Sequence, residues 1–351
     1  MAARLQERHL RRTALLLAVV AALGWGLGLG PVLTQGLRTR APAELALLLR
    51  LALVGLALLI PIAGIYSLVT QYAFWEGWLD GLPTPAELFP ATAAGGGSPR
   101  CIVYLDGIHQ SAGEHPPAIR AFLDRLEGRL PADIALLRGL ETYTVMPVAL
   151  RDDLGSRWFW TRVFALQEGR TNPLVQTLCA ALVQANNVIK VGISSDRRYG
   201  PILNYELALK ICLRLAETGF RPGSGNALWL LGYSGGGEMA MGVADYLVRL
   251  TGAPVRIITL CGVFSANQAL DGVRAITTVV GTSDPVAALG RLAYPGRLAW
   301  MRGSPWNRAV RRGVVRRRVI AGMGHNGRQG PFSEPCRDAV VEQLISALES
   351  G

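Results

Sequence analysis

The chain has 351 residues, 50% hydrophobic and only 17% charged, with the apolar excess concentrated in the first eighty positions. This argues against two ordinary soluble domains and for one domain carried by a hydrophobic anchor. The net charge of +11 is almost wholly arginine, since Lys190 and Lys210 are the only lysines; without zinc-finger spacing, an RNP motif or a basic helix interleaved with aromatics, nucleic acid is not the expected partner.

Residues 1–12 form a basic tail with Arg4, Arg8, Arg11 and Arg12, followed by an uncharged apolar run over 13–33 that is long enough to span a bilayer as a helix. A second uncharged run covers 51–75, with Pro61 inside it and Tyr66, Tyr72, Phe74, Trp75 and Trp78 as an interfacial aromatic belt. The expectation is a two-pass transmembrane hairpin within 13–80. Gly24/Gly28 and Gly26/Gly30 are small-xxx-small pairs on which a helix-mediated homodimer could form, although glycine is common in membrane helices anyway. Four arginines in the tail against Arg38, Arg40 and Arg50 in the connecting loop favour a cytoplasmic N-terminus, which returns the large domain to the cytoplasm.

Residues 81–99 are rich in proline, alanine and glycine and read as a linker, so the folded domain spans 100–351. There, strand-like runs at Cys101–Leu105, Tyr143–Pro147, Val188–Ile193, Leu228–Leu231, Val255–Leu260, Ala275–Val280 and Arg316–Ala321 alternate with helical patterns. The helices are expected at Pro116–Leu130, Leu174–Ala185, Tyr205–Glu217, Gly237–Leu250 and Arg337–Leu348. This alternation predicts an α/β fold with a mostly parallel sheet wrapped by helices. The stretch 151–200, with Trp158, Phe159 and Trp160, exceeds a minimal strand–helix unit and reads as an insertion that could cover a site. Cys101, Cys179, Cys212, Cys261 and Cys336 are widely spaced, with no C-x-x-C and no histidine at zinc spacing. Buried free thiols are expected, and no metal or organic cofactor is implied.

The chemistry concentrates in Gly232-Tyr233-Ser234-Gly235-Gly236, which fits G-x-S-x-G: a strand, a sharp turn that exposes a serine, then a helix. A serine nucleophile needs a base, and the base needs an acid to orient it. Of His9, His109, His115 and His325, only His325 follows Ser234, on a glycine-flanked loop after a strand. Between them lie Asp245, inside the helix after the turn, Asp271, in a loop before a strand, and Asp284, at the C-terminal end of a strand. Asp284 is the expected acid, because ligand sites in parallel sheets gather at that end. The arginine-rich stretch Arg308–Arg318 reads first as a solvated basic surface; its sharper reading is a contact with anionic headgroups.

Together, Gly232-Tyr233-Ser234-Gly235-Gly236, Gly281-Thr282-Ser283-Asp284-Pro285-Val286 and Gly322-Met323-Gly324-His325 resemble the α/β-hydrolase superfamily over Arg100 to Leu348. The resemblance implies acyl-ester hydrolysis through Ser234, Asp284 and His325. It also implies an oxyanion hole made by the N–H groups of Gly235 and Ile108, although Asp106-Gly107 stands where the family often has His-Gly. A membrane anchor then suggests a lipid or other amphipathic acyl-ester substrate, with membrane lipids as neighbours. Acyl transfer to another acceptor, or a non-catalytic scaffold that keeps the fold, remain the alternatives.

Overall fold

A computed structural model of the protein describes residues 85–89, 99–109, 115–143, 162–163, 165–166, 172–197 and 200–349. The expected tail, both apolar runs, the homodimer face and the aromatic triplet Trp158–Trp160 lie outside them. Among the described residues, no helix is long and apolar enough to cross a membrane. The chain divides into two units: residues 80–164 with 190–351, which hold the whole sheet, and residues 1–79 with 165–189, whose described part is most of one helix.

The sheet has six parallel strands: β1 (Arg100–Leu105), β2 (Ile134–Leu137), β3 (Leu228–Tyr233), β4 (Val255–Leu260), β5 (Ala275–Gly281) and β6 (Val315–Ile320), in the order β2-β1-β3-β4-β5-β6. The alternation of side chains along each strand separates two cores. Cys101, Val103 and Leu105 of β1, with Leu228 and Leu230 of β3, face one layer; Ile102 and Tyr104, with Trp229, Leu231 and Tyr233, face the other. All six residues of β3 are buried, as a central parallel strand covered on both faces requires.

The helices are α1 (Pro117–Glu127), α2 (Pro173–Ser195), α3 (Gly200–Glu217), α4 (Gly236–Thr251), α5 (Pro285–Ala293), α6 (Pro305–Arg311) and α7 (Glu334–Glu349). In the first layer α3 and α4 pack on the sheet together with Trp306 and Ala309 of α6. On the opposite face α1 contributes Ile119, Phe122, Leu123 and Leu126 at helical spacing, and α7 contributes Val340, Val341 and Leu344. Fully burying a side chain such as Phe122 stabilises the fold by about 1.5–3 kcal/mol.

Three expectations need correction. The segment Val188–Ile193 is not a strand but the end of α2. From Pro173 that helix runs unbroken through Gly192 to Ser195, and its buried positions, Cys179, Val183, Asn186, Asn187, Lys190, Val191 and Ser194, are linked by steps of three or four residues. The second strand is Ile134–Leu137 rather than Tyr143–Pro147: Tyr143 lies in a bend, and 144–147 fall outside the described residues. Finally, the 81–99 linker contains a helical turn at Pro85–Leu88 whose Leu88 is buried in the first core, with the Phe89 ring 6.3 Å from that of Phe220. Cys101, Cys179, Cys212 and Cys261 are buried free thiols as expected, and Cys336 is half-buried.

Candidate active site

The sheet order reverses direction between β1 and β3, since β2 lies on one side of β1 and all later strands on the other. The carboxyl ends of strands at such a switch point open a crevice. Ser234 follows β3 there, and the turn Asp106–Ile108 follows β1.

Ser234 adopts φ +50°, a left-handed conformation that costs a side-chain-bearing residue on the order of 1–3 kcal/mol. Two glycines make this turn sterically feasible. A Cβ on Gly232 would stand 2.3 Å from Gly236 O, and one on Gly236 would stand 2.3 Å from Leu105 O, so α4 leaves the elbow in direct backbone contact with β1. Ser234 N–H donates to Leu260 O, while Ser234 O accepts from Gly237 N–H and Val263 N–H. The strained residue is thus tied to three neighbouring segments.

Asp284 follows β5 and caps α5. Its Oδ1 accepts from Ala287 N–H at 2.9 Å, and Pro285 occupies the first helical position, where its missing N–H costs nothing. The same carboxylate lies 3.0 and 3.1 Å from His325 Nδ1. Burial alone would raise the Asp284 carboxyl, but the hydrogen bonds from His325 and Ala287 N–H outweigh it and hold the group below the ordinary aspartate value. His325 reaches this position because Gly281 ends β5 without a side chain: a Cβ there would fall 1.9 Å from Met323 O.

His325 Nε2 is 2.9 Å from Ser234 Oγ. With Nδ1–H directed at a carboxylate, Nε2 presents its lone pair to the serine hydroxyl. The three residues chosen from chain order therefore meet in one hydrogen-bonded line, serine to imidazole to carboxylate. The other two aspartates are occupied elsewhere, Asp245 with Arg249 and Asp271 with Arg312.

Ile108 is half-buried against the elbow: a Cβ on Gly235 would come within 2.9 Å of Ile108 Cγ2 and 3.0 Å of Tyr143 Oη. Sequence reasoning missed how this loop is held. Asp106 is buried, accepts from Tyr104 Oη and Gly107 N–H at Oδ1, and meets His115 Nδ1 at 2.9 Å through Oδ2. His115 Nε2 accepts from Gly139 N–H, and Tyr143 Oη donates to Asp106 O. A histidine nine positions downstream thus sits against Asp106, in the turn that follows β1. Tyr233 was also overlooked: its hydroxyl donates to His325 O at 2.9 Å, and its ring lies at 29° to the imidazole.

Cys261, Asp284 and His325 offer ligand atoms within 4.8 Å of one another, a grouping that could hold a metal ion. The chemistry of the donors fits a hydrogen-bonded relay better. Asp284 and His325 Nδ1 are already directed at each other, and burial, reinforced by the negative charge of Asp284, pushes the Cys261 thiol well up and keeps it protonated.

Beneath the elbow, Glu238 of α4 is fully buried. Its carboxylate accepts from Ser265 N–H at 2.5 Å, Ser265 Oγ at 3.1 Å and Gln268 Nε2 at 2.5 Å. Burial nevertheless dominates these bonds and the charge of Arg297, and pushes the carboxyl up to about 7. Between its ordinary value of 4.5 and about 7 the folded protein keeps a proton that the unfolded chain has released, so stability falls as pH rises across that window. In Glu238→Gln the melting temperature should lose this part of its pH dependence; an unchanged slope in thermal unfolding would count against the assignment.

No family model matches the chain, and no curated protein matches it.

Proposed function

We propose that the protein is a membrane-anchored serine hydrolase of the α/β-hydrolase type that cleaves an acyl ester of a lipid or other amphipathic molecule. The observation carrying this reading is the line from Ser234 Oγ through His325 to Asp284, at 2.9 and 3.0 Å, ending on a serine with φ +50°. In this reading His325 Nε2 takes the hydroxyl proton as Ser234 attacks the ester carbonyl, and Asp284 stabilises the imidazolium. His325 then protonates the leaving alcohol, water attacks the acyl-enzyme by the same route, and the acid departs.

The Gly235 N–H, at the head of α4, and the Ile108 N–H are the proposed donors to the developing oxyanion. The apolar runs at 13–33 and 51–75 supply the anchor, with the hydrolase domain on the cytoplasmic side. Labelling of the full chain by a fluorophosphonate, which reports an activated serine without knowledge of the substrate, tests the reading. A folded chain that resists the probe would favour the scaffold alternative.

Asp106 and His115 act on this chemistry by positioning. Asp106→Asn exchanges one acceptor oxygen for an NH₂ group facing His115 Nδ1 or the Tyr104–Gly107 donors, so the loop carrying Ile108 is released. The expected loss is on the order of 10² in kcat, the effect of an impaired oxyanion donor. KM for a small activated ester should change little. A kcat within about twofold of wild type would show that the loop does not contribute a donor.

A further inference from the structure

From Pro285 to Ser333 the chain carries ten arginines and no aspartate or glutamate, nearly the whole of its net charge of +11. The same stretch holds Val286, Leu289, Trp300, Met301, Val310 and Val319, six of the seven large apolar side chains exposed among the described residues; Trp300 is 70% and Leu289 64% accessible. In the fold this stretch forms the crossover from β5 through α5 and α6 to β6, the edge strand of the sheet. It begins next to Asp284.

The display of these side chains is built into the structure. On α5, Val286 and Leu289 point outward while Ala287 and Gly290 turn inward, and a Cβ on Gly290 would come within 3.0 Å of Val263 Cγ1. The Trp300 loop is pinned from beneath: Asn307 Nδ2 donates to Leu298 O at 2.8 Å and to Met301 O at 2.9 Å. Arg308 and Arg311 donate to backbone carbonyls, of Gly303 and Arg302, so these bonds hold the guanidiniums without neutralising them. Arg297 is turned inward, yet Arg291 of α5 and Arg317 of β6 both help burial to lower its pKa to about 10, which places the two exposed charges on one side of the domain.

We infer that this face docks the domain on an anionic bilayer surface, with Leu289, Trp300 and Met301 entering the interface and the surrounding arginines meeting lipid phosphates. A field of ten arginines that supplies no carboxylate of its own, with Asp271 reaching only Arg312 from outside it, complements such a surface, and tryptophan partitions to the headgroup level. Nucleic acid would account for the arginines but would not need a rim of protruding aliphatic side chains. Docked this way, the Asp284 end of the sheet lies beside the membrane. The inference does not require Ser234 to be active.

Amide hydrogen exchange of the full chain tests it, using vesicles of phosphatidylcholine with or without phosphatidylglycerol. Exchange over 286–303 is expected to slow about tenfold only when phosphatidylglycerol is present. The protection should vanish in Arg291→Gln/Arg317→Gln and in Leu289→Ser/Trp300→Ser, all exposed sites, with melting temperatures near wild type. Equal exchange in both vesicles overturns the proposal. So does protection by an oligonucleotide in place of the vesicles, or protection that grows with protein concentration without lipid, which would assign the face to nucleic acid or to a second copy. Fluorophosphonate labelling of the same variants in detergent reads the serine separately, so loss of docking and loss of the catalytic reading are distinguishable.

Discussion

In Ser234→Ala, hydrolysis of an activated ester is expected to fall on the order of 10⁴–10⁶-fold in kcat, and covalent labelling by a fluorophosphonate should disappear. The substitution removes only Oγ, the atom 2.9 Å from His325 Nε2, and leaves the backbone bonds to Leu260, Gly237 and Val263 in place. Alanine carries the same Cβ at φ +50°, so the melting temperature should stay close to wild type. Ser234→Gly supplies the complementary result. It is equally inactive but relieves strain of roughly 1 kcal/mol, so it should unfold at a higher temperature than wild type. Activity lost together with a gain in stability is the signature of a residue held in a costly conformation for its chemistry. Retention of labelling in Ser234→Ala would place the nucleophile elsewhere and end the present reading.

The second large effect is expected from Asp284→Asn, through the tautomer of His325. Ala287 N–H holds the oxygen at Oδ1, so the amide NH₂ takes the Oδ2 position, 3.1 Å from His325 Nδ1. With Nδ1 accepting from that NH₂, its proton moves to Nε2, and the imidazole donates to Ser234 Oγ instead of receiving its proton. A loss of about 10⁴ in kcat follows, with stability nearly preserved because asparagine caps a helix as well as aspartate does. The wild-type carboxyl lies below its ordinary value, so its stabilising pair is complete above the unfolded aspartate value and is lost as pH falls through the lowered one. The Asp284→Asn variant escapes that acid-side loss, which unfolding at low pH would detect. If the variant kept more than a tenth of its activity, His325 would need another orienting group, and Asp245 and Asp271 are already paired with arginines.

Much of the site was legible because its requirements are local or ordinal. Gly232 and Gly236 flank Ser234 at the spacing a strand–turn–helix elbow needs, and the close approaches that demand glycine lie within a few residues or on the neighbouring strand. His325 was the only histidine after Ser234, and Asp284 the only aspartate there at a strand's end, so counting was enough. The central strands were legible too, since β3, β4 and β5 are short apolar runs and a parallel strand covered on both faces must be.

Other elements were decided by partners far away in sequence. Val188–Ile193 is rich in β-branched residues and reads as a strand, yet its continuity with the helix before it won over local preference. Strand β2 has only four residues and gains its identity from pairing with β1, whose Arg100 stands opposite Ile134. Asp106 and His115 looked like a departure from a motif and an unused histidine; only the fold brings Tyr104, Gly139 and Tyr143 around them. The arginines from Pro285 to Ser333 were countable, but whether Leu289 and Trp300 among them pointed in or out depended on which side of α5 met Val263 and on how Asn307 holds the turn around Trp300. The sequence by itself determined which groups are candidates for the site, because residue type and order along one chain were enough to select them. Which groups hold them, and which faces remain uncovered, was decided by tertiary structure, because burial and hydrogen-bond partnership belong to pairs of segments rather than to either alone.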